Sequence, residues 1–390
     1  MQVKCLPESL RDGLKIAGRA VSRHATLPVL RNVCISANGN GAVAVSGSDL
    51  EVSIRTWGDA KVEQPGALTV PAGRLSDLTA LLTGSEMTMR VERSDLKIEC
   101  GGTSATLKGI PADEFIQIKD YDALSREDHT IPHVVMDPST LETALDRTVI
   151  SAARDDSRPV LSTVYVHENE HGCLSFVSAD GFRMSVQHTD VPANGFPDVL
   201  IPYRAIEEAA RIIATESEPA RVVAGSSDDP AQVAFIFSNT HLVTQLVHGK
   251  FPDYRQIIPP QFVFRALVVP SELKRAIKTA LIFGRDQGDL VTWTVQNTGD
   301  DQYEMIVSGN SVETGDNTSR VNVDVEGDMA WTNGPFKIAV NAKYVIQALD
   351  AIGSIASLEI WFNESSAPIL MRPAGDTSYT HIVMPMHVGR

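Results

Sequence analysis

Residues 167–171, His-Glu-Asn-Glu-His, match the HExxH pattern, in which two histidines bind zinc and a glutamate acts as the base of a hydrolase. This chemistry requires a helix, because only there do residues four apart face the same side. Residues 160–166 alternate as in a strand, and Gly172 leads into a second apolar run at 174–177. The sequence therefore predicts a hairpin loop at 167–171. A zinc metallohydrolase using His167 and His171 is kept as an alternative.

The remaining motifs with catalytic potential are incomplete. Asp155 and Asp156 form a carboxylate pair, but basic neighbours on both sides favour a solvated turn. Gly249-Lys250 lacks the upstream glycine and the following Ser or Thr of a phosphate-binding loop, and no GxSxG is found. Since no set of residues combines acid, base and nucleophile, we expect a protein that is not an enzyme and that needs no cofactor or metal.

Basic residues recur on the flanks of the predicted helices, although the net charge is −15. Arg11, Lys15 and Arg19 follow the apolar stripe of the first helix, and Lys274 and Lys278 occupy matching positions in a later one. On a single helix this pattern is typical of a solvated face. Its repetition indicates a shared positive surface, which phosphate binding requires. Two further basic residues stand at helix starts, Arg74 and Arg204.

The elements that carry these residues repeat three times. Prolines 7, 138 and 270, which are 131 and 132 residues apart, each open a helix with apolar residues at spacings of three and four. A second helix follows a strand end near 70–72, 201–203 and 340–342. Short alternating β-branched runs joined by tight turns lie between the helices. Each repeat thus predicts two helices with antiparallel sheets, an α+β class.

Length and composition agree with several globular domains. The 390 residues are 43% hydrophobic, and polar or proline-rich stretches at 120–128 and 259–264 separate the repeats. We therefore expect domains at 1–125, 126–262 and 263–390. No apolar run is long enough for a membrane span, and charges interrupt the first 14 residues. The four cysteines are far apart in sequence, which favours a reducing cytoplasm.

Several short segments stand in a fixed order along the chain: TLPVL at 26–30, GSDLE at 47–51, VPA at 70–72, DGFRM at 180–184, GKFPDYR at 249–255 and VMPM at 383–386. They resemble the bacterial sliding clamp family, the β subunit of DNA polymerase III, and the resemblance covers essentially the whole chain. Each one alone is weak, but their order and spacing across three repeats make the resemblance specific.

The resemblance implies a DNA-clamp fold of three similar domains and a head-to-tail dimeric ring. Helices would line a hole that holds duplex DNA, bound without sequence specificity, and sheets would form the outer wall. The protein would then be a non-enzymatic processivity factor. The residues expected to face DNA are Arg11, Lys15, Arg19, Arg23, His24, Arg74, Arg204, Lys274 and Lys278.

The resemblance also implies a pocket that binds short peptide motifs with a Gln and terminal apolar residues. Its expected partners are the polymerase III α subunit, the clamp loader and other clamp-motif proteins. The expected pocket residues are Leu161, Ala179, Gly181, Phe182, Arg183, Met184, Pro252, Ile257, Ile382, Met384, Pro385 and Met386. Two alternatives stay open: methionines that only fill a core, and a clamp-like paralogue that no longer encircles DNA.

Overall fold

Helices and short strands alternate along the computed structural model, which describes residues 1–22, 25–38, 41–155, 157–225, 231–300, 302–327 and 334–386. The helices of this part of the chain are α1 (Pro7–Ala17), α2 (Ala72–Leu81), α3 (Tyr121–Glu127), α4 (Pro138–Val149), α5 (Tyr203–Ile213), α6 (Pro270–Gly284) and α7 (Ala342–Ile352). The strands are β1 (Gln2–Cys5), β2 (Asn32–Ala37), β3 (Ala42–Ser48), β4 (Val52–Gln64), β5 (Gly66–Pro71), β6 (Met87–Glu92), β7 (Asp95–Cys100), β8 (Thr103–Lys108), β9 (His133–Met136), β10 (Thr163–Glu168), β11 (Cys173–Ala179), β12 (Arg183–Pro192), β13 (Val199–Pro202), β14 (Ala220–Ala224), β15 (Gln232–Ile236), β16 (Thr240–Gln245), β17 (Phe264–Val268), β18 (Leu290–Gly299), β19 (Gln302–Ser311), β20 (Gly315–Gly327), β21 (Phe336–Asn341), β22 (Leu358–Phe362), β23 (Ile369–Pro373) and β24 (Tyr379–Val383).

The three helices that open the repeats begin at their prolines, which confirms that prediction. Pro7, Pro138 and Pro270 are the first residues of α1, α4 and α6. Proline suits this position because its fixed φ is helical and its missing N–H has no partner in the first turn. Leu10 and Leu14 of α1 are buried, as the predicted apolar stripe requires.

Two compact units make up the chain, and each contains one large sheet. The first unit comprises residues 1–142, 191–197 and 204–247. Its sheet runs in the order β8-β7-β6-β1-β4-β16-β15-β14-β9, and β3, β2 and β5 extend from β4. The described pairings are antiparallel, which confirms the predicted sheet type. Helices α1 and α2 pack together in this unit.

The second unit comprises residues 143–190, 198–203 and 248–390. Its sheet runs in the order β13-β10-β11-β12-β24-β23-β22-β17-β20-β19-β18-β21. The rings of Phe264 and Phe362 stack at 4.8 Å, and Phe336 meets both rings nearly edge-on. These aromatic side chains lie in a continuous apolar core with Trp293. Strands of the middle repeat occur in both units, β14–β16 in the first and β10–β13 in the second.

Two local predictions need correction. The stretch at 120–128, expected to be a polar boundary, contains the short helix α3, whose N-terminus is capped by the Asp120 carboxylate on the N–H of Ala123. Its Tyr121 is fully buried in an apolar cluster, which explains why this segment is ordered. At residues 167–171, His167 and Glu168 belong to strand β10, so only the remainder is a loop.

Among the helices of the described residues, none combines the length and the apolar character that crossing a membrane requires.

Candidate peptide-binding and DNA-binding sites

The central feature of the candidate peptide site is the pairing of β12 with β24. Met184 lies opposite Ile382, and the neighbouring pair is Arg183 with Val383. Just beyond this pairing, the Met384 N–H donates to the carbonyl of Phe182 at 2.8 Å. Residues about 200 positions apart in sequence are therefore adjacent in the second unit.

A tight turn presents Phe182 at the start of β12. The Oδ1 of Asp180 accepts hydrogen bonds from the N–H groups of Phe182 at 2.9 Å and Arg183 at 3.0 Å. Gly181 has a φ of 91°, a conformation that side chains with a Cβ rarely adopt. The Phe182 side chain is 58% exposed, which is unusual for a residue of its size.

Arg183 supports the turn from below and is only 7% exposed. Its Nε donates to Asp180 Oδ2 at 3.0 Å, and its guanidinium lies 4.4 Å from the ring centroid of Tyr344. It also donates a hydrogen bond to the side chain of Gln347. Because all these groups are satisfied within the unit, Arg183 positions the turn and does not offer a free cation. Tyr344 and Gln347 lie on α7, and no sequence signal identified them as partners.

The segment before Ile257, which belongs to the predicted set, is anchored on β10 in the same unit. Phe251 stacks on Tyr165 at 5.2 Å, and the Tyr254 hydroxyl is 3.1 Å from His167 Nε2. His167 Nδ1 lies 2.7 Å from a backbone carbonyl and must donate to it, so Nε2 accepts from Tyr254. Burial lowers the pKa of His167, which favours this neutral form. Ile257 remains exposed at the end of the anchored segment.

The Leu161 loop and the C-terminal segment complete the set. The Leu161 N–H donates to the carbonyl of Arg158 at 2.9 Å, and the Arg158 guanidinium lies 3.3 Å from where a Cβ on Gly181 would stand. The Met386 N–H donates to the carbonyl of Ala339 on β21 at 2.8 Å. The exposed members of the predicted set are Gly181, Phe182, Pro252, Ile257 and Met384; the partly buried ones are Leu161, Pro385 and Met386; the buried ones are Ala179, Arg183, Met184 and Ile382.

A buried polar cluster lies one residue further along the same strand pair. Ser185 Oγ is 2.9 Å from His381 Nδ1, and Tyr379 and Ser151 also contact this group. His381 has no exposed surface, and its Nε2 has no hydrogen-bond partner among the described residues. Burial, with a smaller contribution from the Arg183 charge, lowers the pKa of His381 to about 3. The sequence analysis missed this cluster, because its members are isolated polar residues in apolar runs.

The HExxH residues do not converge. His167 is buried and bonded to Tyr254, whereas the side chain of His171 is 80% exposed. Within the described ranges, no group of three or more His, Cys, Asp or Glu side chains has the arrangement of a metal site. The geometry gives the zinc hydrolase alternative no support.

The predicted DNA-facing residues that the structure describes form two groups: free cations, which have no ion pair with a described residue, and engaged cations, which are bonded to a group of their own unit. Lys15, Arg74 and Lys278 are exposed and make no ion pair with a described residue. Lys15 also lines a cleft of about 530 Å³ between α1 and the start of α2, together with Arg19 and Arg31. Three basic residues therefore share this cleft of the first unit, whereas Lys278 lies on α6 of the second unit. Arg23 and His24 lie outside the described residues.

The other cations of the set have partners within their own unit. Arg11 donates to the carbonyl of Thr79 at 3.0 Å, at the C-terminus of α2, where a positive charge is favourable. Arg19 pairs with Glu208 at 3.5 Å. In the same manner, Arg204 pairs with Asp49 and Glu51, and Lys274 pairs with Asp350. These partners would have to be exchanged for phosphates on DNA binding.

Comparison with known proteins shows the family of the chain. Family models of the DNA polymerase III beta subunit match the chain three times: the N-terminal domain at residues 1–119, the central domain at 135–253 and the C-terminal domain at 255–387. The beta sliding clamp of Caulobacter vibrioides is 28% identical over 392 residues, covering 94% of this chain and 95% of that protein. The beta sliding clamp of Staphylococcus aureus is 28% identical over 392 residues, covering 97% and 96%.

Solved structures show the same fold. A DNA polymerase sliding clamp from Bacillus subtilis superposes with a TM-score of 0.88 at 22% identity, and one from Pseudomonas aeruginosa with 0.86 at 24%, each over 100% of both chains. The fold is thus that of the DNA polymerase sliding clamps. The chain belongs to the DNA polymerase III beta subunit family, since its three domain models together cover most of the sequence.

Family membership confirms the main functional predictions. The chain is a sliding clamp, an accessory subunit of DNA replication that is not itself a catalyst. DNA and polymerase are its partners, and a homodimeric ring is typical of the family. The zinc hydrolase alternative is not supported.

Proposed function

We propose that the exposed apolar residues around the β12–β24 pair bind the clamp-binding motifs of the polymerase III α subunit, the clamp loader and other motif-containing proteins. The observation that carries this proposal is that Phe182, Ile257 and Met384 are exposed apolar residues of the second unit, and that a hydrogen bond joins the backbone at Met384 to that at Phe182. The apolar side chains that anchor a peptide supply most of its binding free energy when they are buried against such a surface. Met384 adapts its shape to different partners, because its side chain is flexible.

Retention on closed DNA tests the clamp function as a whole. The protein, loaded by a clamp loader onto nicked circular DNA, should remain bound through gel filtration and be released after the circle is cut once. A protein ring that encloses DNA needs only weak, sequence-independent contacts with the phosphates, and such contacts permit sliding. Equal loss from circular and linear DNA would favour the paralogue that no longer encircles DNA.

The free cations Lys15, Arg74 and Lys278 are proposed to contact the DNA backbone, and the engaged cations of the predicted set to contribute after exchanging partners. The support is their exposure and lack of ion pairs with described residues. Reversing all three charges to Glu should weaken loading and flatten its salt dependence. The matched control is Lys97→Glu, an exposed β7 lysine already paired with Glu92, which should load normally.

We propose that a second copy pairs its β20 with β8. The proposal starts from the equivalence of β4 and β20, which each have 13 residues. Val62 of β4 lies opposite Val3 of β1, just as Val325 of β20 lies opposite Ala266 of β17. Yet 52–56 of β4 pair with β16, whereas the equivalent residues 315–319 of β20 have only β19 as a described partner.

Strand β8, the last strand of the first repeat as β16 is of the second, likewise pairs only with β7 among the described strands. Exposed strand edges of this kind favour pairing with another chain. Exposed Leu81 at the end of α2 and Ile282 near the end of α6 would add an apolar contact at the same interface.

A charge exchange tests this interface. By the register of β4 and β16, Thr106 of one copy lies opposite Asp316 of the other. Thr106→Asp should weaken the dimer, because like charges directly opposite are unfavourable, and Asp316→Lys in the same protein should restore it. Native mass spectrometry across concentrations measures both effects. A dimer insensitive to both changes excludes this interface.

The three repeats support domain limits of 1–125, 126–262 and 263–390. We also propose that the protein acts in the cytoplasm, since replication of a bacterial chromosome takes place there.

A further inference from the structure

A second cleft adjoins the C-terminal end of the candidate peptide site in the second unit. It has a volume of about 340 Å³ and shares Pro385 and Met386 with that site. The hydrogen bond from the Met386 N–H to the Ala339 carbonyl holds the shared segment against β21 at 2.8 Å. A peptide bound at the site can therefore continue into this cleft without a break in contact.

The polar side chains that line the cleft have no partner among the described residues. Lys337 lies two residues from Ala339 on the same face of β21, and Thr292 lies opposite Ala339 on β18. Lys337 is exposed and makes no ion pair with any residue that the structure describes. Nor do the hydroxyls of Thr292, Ser365 and Ser366 have a hydrogen-bond partner in this part of the chain.

The charge of the cleft contrasts with that of the whole chain. The net charge is −15, yet none of the described residues that line the cleft carries a carboxylate; Glu364 precedes Ser365 in sequence but is not among them. An ammonium with three donors, next to three hydroxyls, matches the acceptors of a carboxylate.

We propose that this cleft receives an acidic side chain of the bound motif, located upstream of its Gln, with Lys337 as the counter-charge. The inference rests on the proposed peptide-binding function. The terminal apolar residues of such a motif fit Phe182, Ile257 and Met384, so the end of the peptide lies on that side. The residues before the Gln then extend past Met386 toward Lys337. The cleft thereby selects among partners by the charge of their upstream flank.

Peptide binding measured by fluorescence anisotropy tests the proposal. Two amide-capped peptides carry the same Gln and apolar residues and differ only in Glu or Gln two positions upstream. The acidic peptide should bind the wild type about threefold more tightly at low salt, and the preference should shrink at 0.5 M salt, as for a solvent-exposed ion pair. In Lys337→Gln, the ratio of the two affinities should fall to one. The matched control is Lys343→Gln, a lysine paired with Asp289, which should keep the threefold ratio.

Each other outcome overturns a defined part of the proposal. Equal binding of the two peptides to the wild type, or an acidic preference that persists in Lys337→Gln, excludes Lys337 as the counter-charge. A free terminal carboxylate that gains affinity over the amide through Lys337 identifies the peptide end as the occupant and excludes the upstream side chain. Failure of even the neutral peptide to bind the wild type instead contradicts the peptide-binding function itself.

Discussion

Two strand pairs of the molecule have the same backbone arrangement but different side chains. They are β4–β16 in the first unit and β12–β24 in the second. In the first, the Gln245 N–H donates to the Glu51 carbonyl at 2.9 Å; in the second, the Met384 N–H donates to the Phe182 carbonyl at 2.8 Å. The turn before each pair is held by an aspartate, Asp49 or Asp180, in the same way.

The side chains on this shared backbone have opposite character. Asp49 and Glu51 of the first turn are both paired with Arg204 from α5, at 3.1 and 3.5 Å. At the second turn, Asp180 is paired with its own neighbour Arg183, which leaves Phe182 exposed. The repeat thus supplies the scaffold, whereas a few side-chain differences decide whether the surface carries ion pairs or exposed apolar groups.

The largest expected effect comes from removing the two aspartates. Asp180→Ala leaves Arg183 with an unpaired charge at 7% exposure and should lower the free energy of unfolding by about 3 kcal/mol. Asp49→Ala should lower it by about 1 kcal/mol, the loss of the turn hydrogen bonds, because the half-exposed Arg204 regains water. Urea denaturation of both variants gives the comparison, with Asp180→Asn as an intermediate that keeps one acceptor oxygen. Equal losses would show that the burial of Arg183 is unimportant.

The second effect is on binding. Phe182→Glu combined with Met384→Gln gives the second pair the side chains of the first and should weaken binding of a Gln-containing apolar peptide about 30-fold, or ~2 kcal/mol. The fold should be kept, because both side chains are exposed. The matched control is Glu51→Ala with Gln245→Ala, which should leave peptide affinity unchanged. Fluorescence anisotropy titrations measure the affinities. A loss of peptide affinity of less than threefold in the Phe182→Glu, Met384→Gln variant contradicts the proposed pocket.

The third effect is a dependence of stability on pH, because the two strand pairs also differ in their buried side chains. Leu242 lies opposite Ile54 in the first pair, where His381 lies opposite Ser185 in the second. The pKa of His381 is lowered to about 3, mainly by burial, so between pH 6.5 and 4 the unfolded state binds a proton that the folded state does not. Above pH 6.5, His381 is neutral in both states and the free energy of unfolding does not depend on its titration. Below pH 6.5, the free energy of unfolding falls by about 1 kcal/mol per pH unit on acidification.

Ser185→Ile with His381→Leu therefore should remove that part of the acid sensitivity. Urea midpoints at pH 7, 6, 5 and 4 measure it as the difference in slope between wild type and variant. His167, whose pKa burial also lowers, stays in both proteins and cancels in the difference. Parallel slopes would mean that His381 is already protonated in the folded state at pH 4 or stays neutral in the unfolded one.

How much of this could be predicted from the sequence depends on the range of the interactions. The helix starts at Pro7 and Pro270 and the turns at Asp49 and Asp180 follow from local residue preferences. The family resemblance supplied the pocket residues, because β12 and β24 are too distant in sequence for any local pattern to pair them. Short helix α3 was missed for the opposite reason: its polar ends dominate the pattern, and only burial of Tyr121 explains it.

The candidate sites show the same limit at the level of single side chains. The flank positions of α1 predicted a row of cations that face DNA, and Lys15 is exposed with no ion pair to a described residue. Arg11 is bonded to the carbonyl of Thr79 instead, because α2 ends beside it, and nothing in the sequence gives that proximity. In the same way, the environment of Lys337 depends on the pairing of β21 with β18, which only the structure supplies.

The smallest expected effect separates the two turns by backbone strain. Gly181 and Leu50 occupy equivalent positions with φ of 91° and 80°. Gly181→Ala should lower the free energy of unfolding by about 1 kcal/mol, because a Cβ disfavours this conformation. In Leu50→Gly the strain is relieved, but the greater freedom of the unfolded chain offsets the gain, so stability should change by less than about 0.5 kcal/mol. Thermal unfolding of both variants measures the difference, and a loss in Leu50→Gly larger than in Gly181→Ala would mean that the exposed Leu50 side chain, not the backbone, stabilises the first turn.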